Sequence, residues 1–292
     1  MKTLAAFFMA LWFSSATLVS AAPLRLSYSI VGPPVAGVWM TYETGAFKRY
    51  GLDVQLVYIP SSVTNIQALL GGSLDIAVPG ISGVVLAAAR GAPVVAIAAT
   101  MNRPPMTLDD QIKGQTLGIT RFNSTAHTVT ALILRKLGLT QSVTMRPLGG
   151  NPEVQAAFDQ KQIAGMVTSV RPRSPANSLM NAADLEVPFA MNVIAVTPEF
   201  LQKNGQTAER LLRAYIEGVA AMNHDRETAL KVLAKYLKRS EPAFLDEMYK
   251  IAVQFTDRTP RVDPRTVATV LEFEPVKGAD AETVAPKAID NS

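Results

Sequence analysis

Two histidines, His127 and His224, are the only imidazoles in the 292 residues, and there is no cysteine. A hydrolytic triad needs a nucleophile held by a base that a third group orients. His224 lies in "AMNHDRE", on a long helical pattern and far from every strand end. His127 lies in "TRFNSTAHT", Thr120–Thr128, where an apolar run meets a helical run. No Gly-x-Ser-x-Gly elbow accompanies either one. Two histidines 97 positions apart, without a thiolate, give no metal-ligand spacing. A P-loop is also missing. These residue types point to binding rather than catalysis, with no catalytic residue, metal ligand or cofactor expected.

The polar residues gather instead where apolar runs give way to helical ones. Such places present free backbone N–H groups and a partial positive charge, and they receive ligands in open α/β sheets. Five stretches qualify. "SIVGPP" offers Ser29 and Gly32. "PSSVTN" offers Ser61, Ser62 and Thr64, with Ser61 or Ser62 also able to cap a helix. "PGISG" offers Gly80 and Ser82. "TRFNSTAHT" offers Arg121, Asn123, Ser124 and Thr125, and its Ser124 or Thr125 can cap the helix that follows. "TSVRPR" offers Thr168 and Ser169, with Arg171 beside them. Trp39 and Tyr42, three apart on one helical pattern, are expected to pack against a sheet.

The elements that position these stretches follow from periodicity. "LRLSYSI" alternates as a strand, and "VAGVWMTYETGAFKRYG" reads as a helix closed by Gly51. "LDVQLVYI" is a strand, "SSVTNIQALLGG" a capped helix, "LDIAV" a strand and "PGISGVVLAAARG" a turn and helix. "APVVAIAAT" reads as a strand buried on both faces. This βα alternation predicts a mostly parallel sheet. "MNRPPMTLDDQIKGQ" reads as a linker, after which a second α/β rhythm runs from "TLGIT" to "IAGMVTSV". "FAMNVIAVT" reads as a returning strand. From Pro198 the pattern is nearly all helical, and the tail from Glu274 is expected to be disordered at its end.

Residues 1–21 carry Lys2, an apolar stretch from Leu4 to Phe13, and small residues at Val19–Ala21, the marks of a cleavable secretory signal peptide. The formal charge of +4 falls by one when Lys2 is removed, and the basic residues are dispersed, which excludes a nucleic-acid stripe. The organisation is two α/β lobes: residues 22–105 plus 190–292, with 106–189 inserted as the second.

"GAFKRYGLDVQLVYI", "ALLGGSLDIAVPG", "AARGAPVVAIAA", "IKGQTLGIT" and "LRAYIEGVAAMNHDRETALKVLAKYLK" occur in the order seen in one family. By these phrases the chain resembles the sulfonate-, nitrate- and taurine-type substrate-binding proteins of ABC importers. The resemblance covers most of the chain after residue 21. It implies a type II periplasmic-binding fold, joined by crossings near Arg103–Asp110 and Glu186–Met191, and closing on a small ligand. It also implies a periplasmic carrier of a small molecule that is monomeric and is served by an inner-membrane permease and ATPase. Arg121 and the helix N-termini favour an anionic ligand. The chain departs from the family in its short "MTLDDQ" before Ile112, in the short stretch from Arg173 to Pro188, and in Ala164, where an acidic residue is common. These departures motivate the alternative of a sensory or interaction protein on the same fold. A related fold serves a fungal thiamin-pyrimidine enzyme, whose cysteine-rich motif has no counterpart here.

Overall fold

The structure, a computed structural model, describes residues 22–109, 112–168 and 178–292. Residues 1–21, Ser169, Arg171 and Arg173 lie outside them.

Five strands form the larger sheet: β1 (Leu24–Tyr28), β2 (Val54–Tyr58), β3 (Ile76–Val78), β4 (Val95–Met101) and, from beyond the inserted segment, β10 (Asn192–Val196). Their order is β2-β1-β3-β10-β4. β1 runs parallel to β2 and β3, whereas β10 runs antiparallel to both β3 and β4. Period-two alternation divides the side chains between two faces. Ile76, Val78, Ile194 and Val196 enter one core, while Ala77, Val193 and Ala195 enter the other.

The first core is covered by α1 (Ala36–Glu43), α2 (Ala46–Arg49), α7 (Pro198–His224), α8 (Arg226–Leu237) and α9 (Pro242–Phe255). The single helix expected from Val35 to Tyr50 is broken at Gly45, which takes a left-handed φ of 74°. Trp39 is fully buried and stacks on Tyr236 at 4.6 Å, while Tyr42 is exposed. Gly218 lets α7 approach α1: a Cβ there would lie 2.1 Å from Thr41 Oγ1. The second core is covered by α3 (Ser62–Leu70), α4 (Ile81–Ala89), α10 (Thr266–Phe273) and α11 (Ala281–Ala288). The tail is therefore ordered, contrary to expectation. Val284 and Ala288 are buried in this core, and Asp290 N donates to Ala96 O at 2.9 Å.

The inserted segment has its own parallel strands, β6 (Thr116–Ile119), β7 (Thr144–Pro147) and β8 (Gly165–Met166), ordered β7-β6-β8. The expected linker contains a strand, β5 (Thr107–Asp109), paired antiparallel with β9 (Ser178–Asn181). Backbone pairing of Thr107 with Thr168 ties this ribbon beside β8. Two helices, α5 (Thr125–Lys136) and α6 (Asn151–Asp159), follow β6 and β7. Leu117, Val129, Leu132 and Ile133 of this lobe share one apolar cluster with Ile81, Val84 and Val85 of α4.

Candidate functional site

Between the lobes lies a cavity of about 30 Å³. One water needs roughly 10–15 Å³ by this measure, so there is room for about two. The first lobe lines it with Ser29, Ile30, Ser61, Ser62, Met191 and Asn192; Met106, Thr120, Thr125, Ala126 and Asn151 line the opposite side. No lysine, arginine or carboxylate is among them.

The lining sits where β-strands hand over to helices. Ser29 follows β1, and its Oγ donates to Val78 O at 3.2 Å. Asn192 opens β10, and its Nδ2 donates to Ser29 Oγ at 3.4 Å. Ser61 precedes α3 with φ 75° and ψ 128°, a left-handed position that disfavours side chains. It stands at the N-cap, yet its hydroxyl makes no cap. The hydroxyl is buried without a hydrogen-bond partner. Ser62 does not cap either; its Oγ accepts from Gly80 N at 2.9 Å. Thr125 opens α5, and its Oγ1 is likewise buried and unpartnered. Ser124 provides the α5 cap, accepting from His127 N at 3.3 Å, and its own proton goes to Arg121 O at 2.7 Å.

Three helix N-termini, those of α3, α5 and α6, therefore contribute residues to one cavity. Neither α3 nor α6 has a side-chain cap, and neither α3 nor α5 has an acidic residue in its first turn. Carboxylates usually favour that first turn because they meet the positive end of the helix dipole. Left without one, the ends are available to an external oxyanion. α6 carries the exposed Glu153 in its first turn.

The two sides touch directly around the cavity. Asn151 Nδ2 donates to Ser29 O at 3.2 Å. Burial pushes the Tyr58 phenol above its ordinary pKa, and its hydrogen bond with Asn151 opposes that shift. Ser82 Oγ and Thr128 Oγ1 are 2.7 Å apart. Gly80 packs so closely on α5 that a Cβ there would lie 1.6 Å from Thr125 Oγ1.

Of the residues singled out from sequence, Ser29, Ser61, Ser62 and Thr125 line the cavity. Gly80, Ser82 and Ser124 stand one layer behind, in the contacts just given. Gly32 and Thr64 are outside the lining, as is Asn123, which takes a left-handed φ of 64°. Arg121 is exposed and outside it. Thr168 is engaged in backbone pairing with Thr107, and Ser169 is beyond the described residues. Sequence reasoning missed Thr120, Asn151 and Asn192. The strand-end rule applies to Asn151, which follows β7 and the Gly149–Gly150 pair, whereas Asn192 is hidden in an apolar strand.

The NMT1/THI5 like family model matches residues 33–229. Among curated proteins none matches the sequence. Several solved structures share the fold. The alkanesulfonate-binding protein SsuA of Xanthomonas axonopodis pv. citri, bound to MOPS, aligns with TM-score 0.72 and 16% identity over 93% of this chain and 100% of its own. A zinc-bound ligand-binding component of an ABC-type import system from Staphylococcus aureus aligns with TM-score 0.73 and 16% identity, over 93% and 97%. The periplasmic nitrate-binding protein NrtA of Synechocystis PCC 6803 gives 0.67 and 11%, over 91% and 86%. At these identities the likeness establishes the periplasmic-binding fold. Among the described residues no cluster of three or more His, Asp or Glu could hold a metal ion.

Proposed function

Because the chain belongs to the NMT1/THI5-like family, we propose that it is a solute-binding component of an ABC importer. It captures a small oxyanion-bearing molecule between its lobes and delivers it to a membrane permease. One observation carries the ligand class. The cavity joins helix N-termini to two buried hydroxyls without partners, Ser61 and Thr125, and has no carboxylate in its wall. A buried hydroxyl without a partner costs free energy, which a bound acceptor recovers. Neutral donors and helix ends can hold an anion without a cationic side chain.

At about 30 Å³ the closed cavity fits the oxyanion head alone. Any longer tail requires a wider closure. Residues 1–21 fit export to the periplasm, where such a component works. Hinged closure lets each lobe supply part of the contact and excludes water.

The test is a thermal-shift panel followed by calorimetry with nitrate, formate, methanesulfonate and taurine, against neutral and cationic solutes of similar size. At about 100 times its Kd a ligand adds about 2.7 kcal/mol of stability, a clear rise in Tm. A rise with neutral or cationic solutes alone sinks the oxyanion reading.

A further inference from the structure

Seven polar side chains line the cavity, and three of them are spent within the protein. Ser29 Oγ donates to Val78 O at 3.2 Å, and Thr120 Oγ1 donates to Ser124 Oγ at 3.0 Å. Asn151 Nδ2 donates to Ser29 O at 3.2 Å, and the same side chain bonds the Tyr58 phenol.

The other four each keep a hydrogen. The hydroxyls of Ser61 and Thr125 are buried without partners. Ser62 Oγ accepts from Gly80 N at 2.9 Å, so its own hydrogen is unspent. Asn192 is only 3% exposed, and its Nδ2 lies 3.4 Å from Ser29 Oγ. The Ser29 proton is already on Val78 O, so the asparagine must be the donor, and its nitrogen rather than its oxygen faces the serine. An amide nitrogen carries two hydrogens, which leaves one. The first lobe thus supplies three donors, from Ser61, Ser62 and Asn192, and the second supplies one, from Thr125.

The rest of the wall is apolar: Ile30, Met106, Ala126 and Met191. In a cavity of about 30 Å³ a solute touches both kinds of wall at once. A carboxylate has two oxygens with about four lone-pair sites, and its remaining side bears only hydrogen or carbon. Four donors match those sites, and the apolar side chains match that remaining side. Nitrate and sulfonates carry a third oxygen, which competes for the same donors or faces the apolar wall. A buried acceptor left without a donor is costly.

We propose that the cavity selects short carboxylates, of formate or acetate size, over nitrate and sulfonates, and that Asn192 and Ser62 join Ser61 and Thr125 in donating to the bound solute. This rests on the oxyanion reading and narrows it to one class.

The test is calorimetry of the purified protein with formate, acetate, nitrate and methanesulfonate at about pH 7.5, where both carboxylates are ionised. The tighter of the two carboxylates is expected to bind at least about fivefold more strongly than nitrate or methanesulfonate. Two neutral variants then remove single donors: Asn192→Leu takes away the amide, and Thr125→Val takes away the hydroxyl. Each is expected to weaken carboxylate binding by at least about tenfold, after circular dichroism has shown that it is folded. A smaller lead for the carboxylates, or the reverse order, overturns the inference and leaves the oxyanion reading standing, and this comparison needs no variant. Carboxylate affinity unchanged in either folded variant overturns the donor set. Binding of neutral or cationic solutes alone sinks the oxyanion reading itself, and the narrower class with it.

Discussion

The starts of α3, α4 and α6 and those of α7, α8 and α11 are built by different rules. α7, α8 and α11 each begin with a side-chain cap, from Thr197, Asp225 and Asp280, and each has a glutamate in its first turn. Such ends are complete in themselves, with backbone donors satisfied and the dipole met by a negative charge. α3 begins with a serine that does not cap, held at a strained φ, and with no acid. α4 likewise has neither a side-chain cap nor an acid, and α6 lacks the cap. A residue type that favours capping is present at Ser61 and Ser62, but the geometry turns both hydroxyls elsewhere. The same capping residue types therefore complete the starts of α7, α8 and α11 and leave that of α3 uncapped.

The contrast can be broken most forcefully at Gly80. Gly80→Ala places a methyl against Thr125 Oγ1 and Ser62 Oγ, so the lobes must part. Overpacking of this kind costs about 1–3 kcal/mol, equivalent to about a 5- to 160-fold loss of affinity by calorimetry. Next comes Ser61→Gly. Removing the side chain relieves the left-handed strain and raises Tm, while the missing hydroxyl lowers anion affinity by at least about tenfold, given about 1.5–3 kcal/mol for a charged hydrogen bond. If affinity is unchanged, the open-end reading of α3 fails. Asp225→Ala is the matched control in the other half. Loss of the α8 cap costs about 1 kcal/mol of stability in denaturant unfolding and leaves ligand affinity untouched. Smallest of all, Arg121→Ala leaves affinity within about twofold, because its guanidinium is exposed and outside the cavity wall.

What could be read from the chain was set by how local the cause was. The βα alternation was visible because apolar strands such as Val95–Met101 are buried on both faces and need no partner to be recognised. Ser29, Ser61, Ser62 and Thr125 were reachable because strand ends feeding helices point to one side of a sheet. Direction was not reachable. Arg121 and Thr125 lie four residues apart, yet one is exposed and the other is in the cavity wall. Asn192 reads as a core strand position, and only its antiparallel pairing with Gly80 brings it to the cleft. The Glu274–His127 contact joins residues 147 positions apart, which no local pattern marks.

The central place of β10 bears on how the chain reaches its native state. It lies between β3 and β4, so the larger sheet is split until residue 196 returns from beyond the inserted lobe. During synthesis β4 lacks the strand it pairs with in the sheet, and β3 keeps a bare edge, for roughly a hundred residues. Such long-range pairing slows folding and leaves sticky edges exposed in the interval. Until that return, the chain stays in a partly assembled form that a chaperone can hold.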